Sequence, residues 1–292
     1  MRRTRIAGLA MLAVIPLLAQ GPPPPSFPPQ QLDSLVSRIA LYPDPLLAQV
    51  LAAATFSDQI PDAARWADQH HYVTGDTLAR DIQEDQLPWD PSVQALLPFP
   101  SVLGMMASDM NWTRDLGDAF LAQNADVMDA VQRMRRQARD FGYLRSNGQI
   151  IVSGGPYIEI APVNPALIYV PYYDPLIVYA RPRPGFVVGR GITFSFGIAI
   201  GPAFRPWGWG GNRIEWNSRR VIINNAEWRR GWVNRATYAH PYEIRRAGPP
   251  PARVEERHEL RERSPRERAA EQNGHRRVEE HGREERQEER RR

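Results

Sequence analysis

The sequence predicts an α+β protein: a proline-punctuated helical N-terminal domain, a small β-rich segment, and a disordered charged C-terminal tail. Three observations carry this. Residues 32–145 set apolar side chains at helical spacing between prolines. Residues 149–180 change to short β-branched and aromatic runs divided by Gly-Gly, Asn-Pro and Asp-Pro. From Pro249 onward the chain is dominated by Arg and Glu, with no apolar stripe to dock a helix.

The chain opens MRRTRIAGLAMLAVIPLLAQGPPPP. Arg2, Arg3 and Arg5 precede an uncharged apolar run, Ile6 to Leu18, of 13 residues. A bilayer core needs about 20 residues, so the run is too short to span it. With small Ala19 behind it, residues 1–19 read as a secretory signal peptide, with an uncleaved anchor as the alternative. Residues 20–31 follow as a Pro-rich linker whose four consecutive prolines favour polyproline II.

In the helical domain, Leu32, Leu35, Val36 and Ile39 share one face behind a candidate N-cap at Asp33, and Pro43 stops that helix. Asp44-Pro45 restarts it, because Asp can accept from free backbone N–H groups and Pro suits the first helical position. Leu47, Val50, Leu51 and Ala54 make the next buried face. Ile60-Pro61-Asp62, Thr74-Gly75-Asp76 and Asp90-Pro91 start further helices. Thr113 to Phe141 reads as the longest, ended by Gly142. Asp33, Val36, Ile39, Tyr42 and Pro43 align with Asp90, Val93, Leu96, Phe99 and Pro100 at an offset of 57. Two stacked helical hairpins and chance likeness both fit that alignment.

Gln149–Val152 and Tyr157–Ile160 are expected to pair as a hairpin around Ser153-Gly154-Gly155. Leu167–Val170 and Ile177–Tyr179 are expected as short strands around a turn at Tyr173-Asp174-Pro175. Residues 32–180 thus form a helical domain with short strands at its C-terminal end. Residues 181–246 form a Gly/Trp/Arg-rich basic segment, in which a hairpin around Asn217-Ser218 puts Ile214 and Trp216 on one face. Residues 247–292 are the disordered Arg/Glu-rich tail.

Charge follows these divisions. Residues 20–180 carry 9 Arg and 18 acids, and residues 181–246 carry 12 Arg and 3 acids, a split of −9 against +9. Either the basic segment folds back on the acidic helices, or it faces outward to an anionic surface. The second is favoured, since exposed ion pairs contribute only about 0–1 kcal/mol each. There is no Lys, which fits Arg-favouring codon usage. There is no Cys, so disulfides, thiol catalysis and cysteine metal sites are excluded.

Among candidate sites, Trp207, Trp209, Trp216, Trp228 and Trp232 are interleaved with Arg219, Arg220, Arg229 and Arg230. Aromatic faces beside guanidinium groups suit ligand binding: anionic glycan, lipid headgroups or single-stranded nucleic acid. The same rings can instead pack a small core beneath Arg stems. The Asp-Pro pairs at 44–45, 90–91 and 174–175 could be offered as paired acids, but the first two sit where a helix N-cap is wanted and the third in a turn, and the structural reading is preferred. His70-His71 lacks zinc-site spacing, and no metal or cofactor is expected. No nucleophile elbow, P-loop, HExxH or dinucleotide fingerprint appears.

The segments YPDPLLAQVLAAAT and PVNPALIYVPYYDPLIVY, followed by the Gly/Trp-rich stretch, resemble a family of bacterial secreted proteins, that of domain of unknown function 3300. The likeness covers about residues 32–180 and continues more loosely to roughly 235. It implies a bacterial origin and an envelope or secreted location, and it carries no activity and no catalytic residues. The resulting expectation is an exported, non-catalytic envelope binding or structural protein, located in the periplasm or cell envelope. The alternatives are an envelope enzyme acting on glycan or peptidoglycan, and a polyanion or nucleic-acid binder. Anionic envelope components or envelope proteins are the expected partners.

Overall fold

Proline opens most of the helices, those starting at Gly75, Met110 and Asn124 excepted, because its locked φ suits a first turn and its missing N–H is not needed there. In the computed structural model, which describes residues 23–182 and 191–235, the helices run α1 (Pro29–Val36), α2 (Asp44–Ala54), α3 (Ile60–Gln69), α4 (Gly75–Glu84), α5 (Pro91–Gln94), α6 (Pro100–Ser108), α7 (Met110–Ala122) and α8 (Asn124–Asp140). The strands are β1 (Ile150–Ser153), β2 (Glu159–Pro162), β3 (Leu167–Ile168) and β4 (Pro171–Tyr173). A short helix α9 (Pro175–Val178) follows, then β5 (Ile192–Phe194), β6 (Ile198–Ala199), β7 (Arg213–Glu215), β8 (Arg220–Ile223) and β9 (Ala226–Glu227). The α+β class predicted from the sequence holds. The described residues fall in one unit, Met1–Tyr242; a second, Glu243–Arg292, lies outside them. The expected signal peptide, the start of the linker and the charged tail also lie outside the described residues.

Helix α2 lies at the centre. Its sequence, DPLLAQVLAAA, is buried at every position except Pro45, not on one face alone. A helix apolar all round must be enclosed on all sides, and α2 packs against α5, α7, β2, β7 and β8. Its approach to α7 requires Gly117, where a Cβ would collide with the backbone carbonyl of Ala54. One continuous core runs from Leu32 through Phe99, Phe120 and Ile160 to Phe204, Trp216 and Val221. The helical and basic segments therefore share their interior.

Several expected boundaries differ. Asp33 caps nothing: α1 begins at Pro29, and Asp33 sits within it, 2.7 Å from Arg133. The expected long helix breaks at Gln123, whose backbone (φ −134, ψ 46) leaves the helical region. The Gln123 side chain accepts from the N–H of Phe27 and donates to its carbonyl, anchoring the proline-rich arm. Asp174-Pro175 opens α9 where a turn and strand were expected, and the Asp174 carboxylate accepts from Leu176 N–H. The two aligned segments share a local turn geometry. Ile39 N–H donates to Val36 and Tyr42 N–H to Ile39, as Leu96 does to Val93 and Phe99 to Leu96. Each pair of bonds closes a tight turn before an aromatic-Pro step into the next helix.

The β pieces are antiparallel. β1 pairs with β2 from Ile150↔Pro162 to Ser153↔Glu159, the expected hairpin shifted by one or two residues. β3 pairs with β6, and β4 with β5. The 167–173 stretch thus finds its partner beyond residue 191, not in 177–179. β7, β8 and β9 form a three-stranded sheet, with Ile214 and Trp216 both buried as expected.

Candidate functional site

The five clustered tryptophans each meet a helix or the core. Trp207 (8 % exposed) and Trp216 (3 %) are buried. Trp209 donates its indole N–H to the Ala95 carbonyl at 2.9 Å and tilts against Phe99. Trp228 stacks on Phe120 with ring centroids 4.9 Å apart. Trp232 donates its backbone N–H to Leu121, with Arg235 over its ring. The four arginines all have carboxylate partners: Arg219 with Asp129, Arg220 with Glu215, Arg229 with Glu227 and Arg230 with Asp90. Among the described residues the basic segment packs on the helices, while the Arg220 and Arg229 side chains stay exposed. Two of the four pairs cross from the basic segment to the helices, and the rings of Trp207, Trp209, Trp216 and Trp228 pack in or against the core. The physical reason is area: burying a large aromatic side chain contributes about 1.5–3 kcal/mol, more than an exposed ion pair.

The second constellation is invisible in the sequence. Asp44 is the first residue of α2 and makes no cap hydrogen bond. Its Oδ1 lies 2.6 Å from Arg135 Nη1 of α8, and its Oδ2 accepts from the Trp216 indole at 2.8 Å. Arg135 is 0 % exposed and also donates to the carbonyls of Ala40, Tyr42 and Ile158. Its guanidinium lies 4.8 Å from the centre of the Trp216 ring. Burial raises the Asp44 carboxyl above the ordinary carboxylate range, against the opposing pull of Arg135 and Trp216. Asp90 and Asp174 do cap helices. The cap reading therefore holds at Asp90 and fails at the buried Asp44, while Asp174 caps α9 where a turn was expected. His70 stacks on Trp66 and His71 bonds to Asp68. Among the described residues no group of three or more His, Cys, Asp or Glu could hold a metal ion.

The third feature is a pocket of about 370 Å³ lined by Arg38, Tyr42, Ser101, Met105, Val170, Pro171, Tyr172, Tyr173 and Pro175. The two motifs YPDP and YYDP, some 130 residues apart, meet in it. Tyr173 and Tyr179 both donate to the Ser37 carbonyl, at 2.9 and 3.1 Å. Tyr172 is half-exposed, with its hydroxyl 3.1 Å from Ser101 Oγ. Arg38 pairs with Asp109 at 3.0 Å and lies over Trp112. Tyr42 is 5 % exposed, and its hydroxyl makes no hydrogen bond among the described residues. Burial, reinforced by Tyr173 and Tyr172, raises that hydroxyl well above the usual phenol range, so it stays neutral. The sequence placed Tyr42 in the internal alignment and Tyr173 in a turn, but assigned none of these tyrosines to a site. The signal in the chain was the repeated Tyr-x-Asp-Pro pattern at 42–45 and 172–175, which reads first as turn chemistry.

A family model described as a protein of unknown function (DUF3300) matches residues 28–243. The uncharacterized protein YacH of Escherichia coli (strain K12) is 32 % identical over 223 residues, covering 60 % of this chain and 36 % of YacH. The chain thus spans about a third of the length of that curated relative. No solved structure matches.

Proposed function

Because the chain belongs to the DUF3300 family of proteins of unknown function, a name that carries no chemistry, we propose from its own residues that it is an exported, non-catalytic binding protein of the cell envelope. The observation that carries the binding role is the tyrosine pocket, an open concavity with apolar walls and a few convergent polar groups. Export rests on the basic and apolar N-terminal pattern with Ala19 behind it. The best-placed charged pair, Asp44 and Arg135, ties α2 and α8 to Trp216 at the end of β7, which is scaffold work. The exposed guanidinium groups of Arg220 and Arg229 are the part of the basic segment offered to anionic glycan or lipid headgroups. An exported protein has little access to nucleic acid.

The test is fractionation followed by pelleting. The mature chain is expected outside the cytoplasm, starting near Gln20, and to sediment with isolated cell-wall sacculi or envelope vesicles. A soluble cytoplasmic product retaining Met1, with no sedimentation on either material, would overturn the proposal.

A further inference from the structure

Building on the pocket as a binding site, we propose that its ligand is an amide-bearing sugar unit of an envelope glycan, an N-acetylhexosamine, with the Tyr42 hydroxyl donating to the amide carbonyl. The first argument is the state of Tyr42. Its neighbours' phenols all have partners: Tyr173 and Tyr179 on the Ser37 carbonyl, and Tyr172 with Ser101. Tyr42 has none among the described residues, yet it lines the pocket and its hydroxyl is not sealed from solvent. A nearly buried donor left without such a partner is a group that a ligand can satisfy. Because burial keeps it un-ionised, it meets the ligand as a neutral donor.

The rim supplies the second argument. Tyr172 and Ser101 share one hydrogen bond between two hydroxyls, which leaves one hydrogen and several lone pairs free. Groups that both donate and accept match sugar hydroxyls, which do the same. A proline-rich peptide offers carbonyl acceptors with almost no donors and would use half of that capacity. Met105, Val170, Pro171 and Pro175 complete the wall with apolar surface, suited to the C–H face of a sugar ring and to an acetyl methyl.

Charge and size narrow the class. Arg38 is the cation of the pocket, and Asp109 already pairs with it at 3.0 Å. A balanced wall favours a neutral ligand over a carboxylate or phosphate. A volume of about 370 Å³ lies at the low end of small-molecule sites. That gives room for one ring and its substituent, with the rest of a glycan continuing outside.

The experiment titrates a β-linked N-acetylglucosamine trimer, the matching glucose trimer and a tetraproline peptide into the full chain, read by calorimetry and saturation-transfer NMR. The N-acetylated trimer is expected to bind at least tenfold more tightly than the glucose trimer. Tyr42→Phe keeps the buried ring and is expected to weaken that binding at least tenfold with little change in the unfolding midpoint. Tyr172→Ala, at a rim position 47 % exposed, should weaken it as much and serves if Tyr42→Phe fails to fold. Equal binding of both trimers, binding of tetraproline alone, or wild-type affinity in either variant would overturn the assignment. If neither trimer binds but the protein still pellets with sacculi or vesicles, the sugar assignment fails and the envelope role stands. If it pellets with neither, the envelope role fails as well.

Discussion

Arg135 and Asp44 form an ion pair at 2.6 Å in which the guanidinium is wholly buried and the carboxylate nearly so. Nothing in their spacing, 91 positions apart, announces this. The pair is viable because its remaining hydrogen-bonding capacity is met by three backbone carbonyls on the Arg side and by the Trp216 indole on the Asp side. It joins the start of α2, the middle of α8 and the β7 sheet at one point.

Asp44→Ala is therefore expected to cost about 3–5 kcal/mol, the typical loss when one partner of a buried pair is removed, and not the roughly 0.5–2 kcal/mol of a lost cap. Urea unfolding followed by tryptophan fluorescence measures it. A loss near 1 kcal/mol would show that Arg135 finds another partner or water.

Trp216→Phe keeps an aromatic ring beneath Arg135 but removes the donor to Asp44 Oδ2. A destabilisation of about 1–3 kcal/mol is expected, the cost of leaving a buried acceptor unmet. An unchanged midpoint would mean that the ring alone holds the β7 sheet on α2.

Two glycines separate packing from helix propensity. Gly117 of α7 faces the Ala54 carbonyl, and Gly117→Ala is expected to destabilise by about 1–3 kcal/mol through overpacking. At Gly104 of α6 an added Cβ would meet nothing within 4 Å, and the backbone there has no positive φ. Gly104→Ala is expected to stabilise by about 0.5–1 kcal/mol. Thermal unfolding of the two variants should move in opposite directions.

Replacing the four arginines one at a time with Gln should have unequal effects. Arg219, Arg220 and Arg229 are well-exposed partners, so their loss should barely move the midpoint. Arg230 is less exposed, reaches the Asp90 carboxylate that caps α5, and lies over Phe56. Its replacement should give the largest shift of the four in a denaturant titration.

Asp109 gives a pH signature. The Trp112 N–H at the start of α7, then Arg38, hold its carboxyl below the usual carboxylate range. A depressed folded pKa stabilises above the unfolded value, near pH 4, and that stabilisation fades as pH falls through the folded pKa. The stability gap between wild type and Asp109→Ala should be full at pH 6 and narrow steadily below pH 4. A gap that stays constant down to pH 2 would contradict the assignment.

Local architecture was legible in the chain alone. Asp44-Pro45, Pro61 and Asp90-Pro91 marked the starts of α2, α3 and α5, the change of period at residue 149 marked the first hairpin, and Asn217-Ser218 marked the β7–β8 turn, because these depend on φ restrictions and side-chain alternation within a few residues. Burial of α2 on every side, the partner strands of residues 167–173, the helix break at Gln123 and the inward turn of Trp207, Trp209, Trp216 and Trp228 came only with the assembled fold. So did the meeting of Tyr42 with Tyr172 and Tyr173. Each depends on which distant surfaces come together, and short-range pattern cannot encode that. An Asp before Pro looks the same in sequence whether it caps a helix, as Asp90 and Asp174 do, or lies against a buried arginine, as Asp44 does. What separates them is the low-dielectric site built around Asp44 by residues up to 172 positions away.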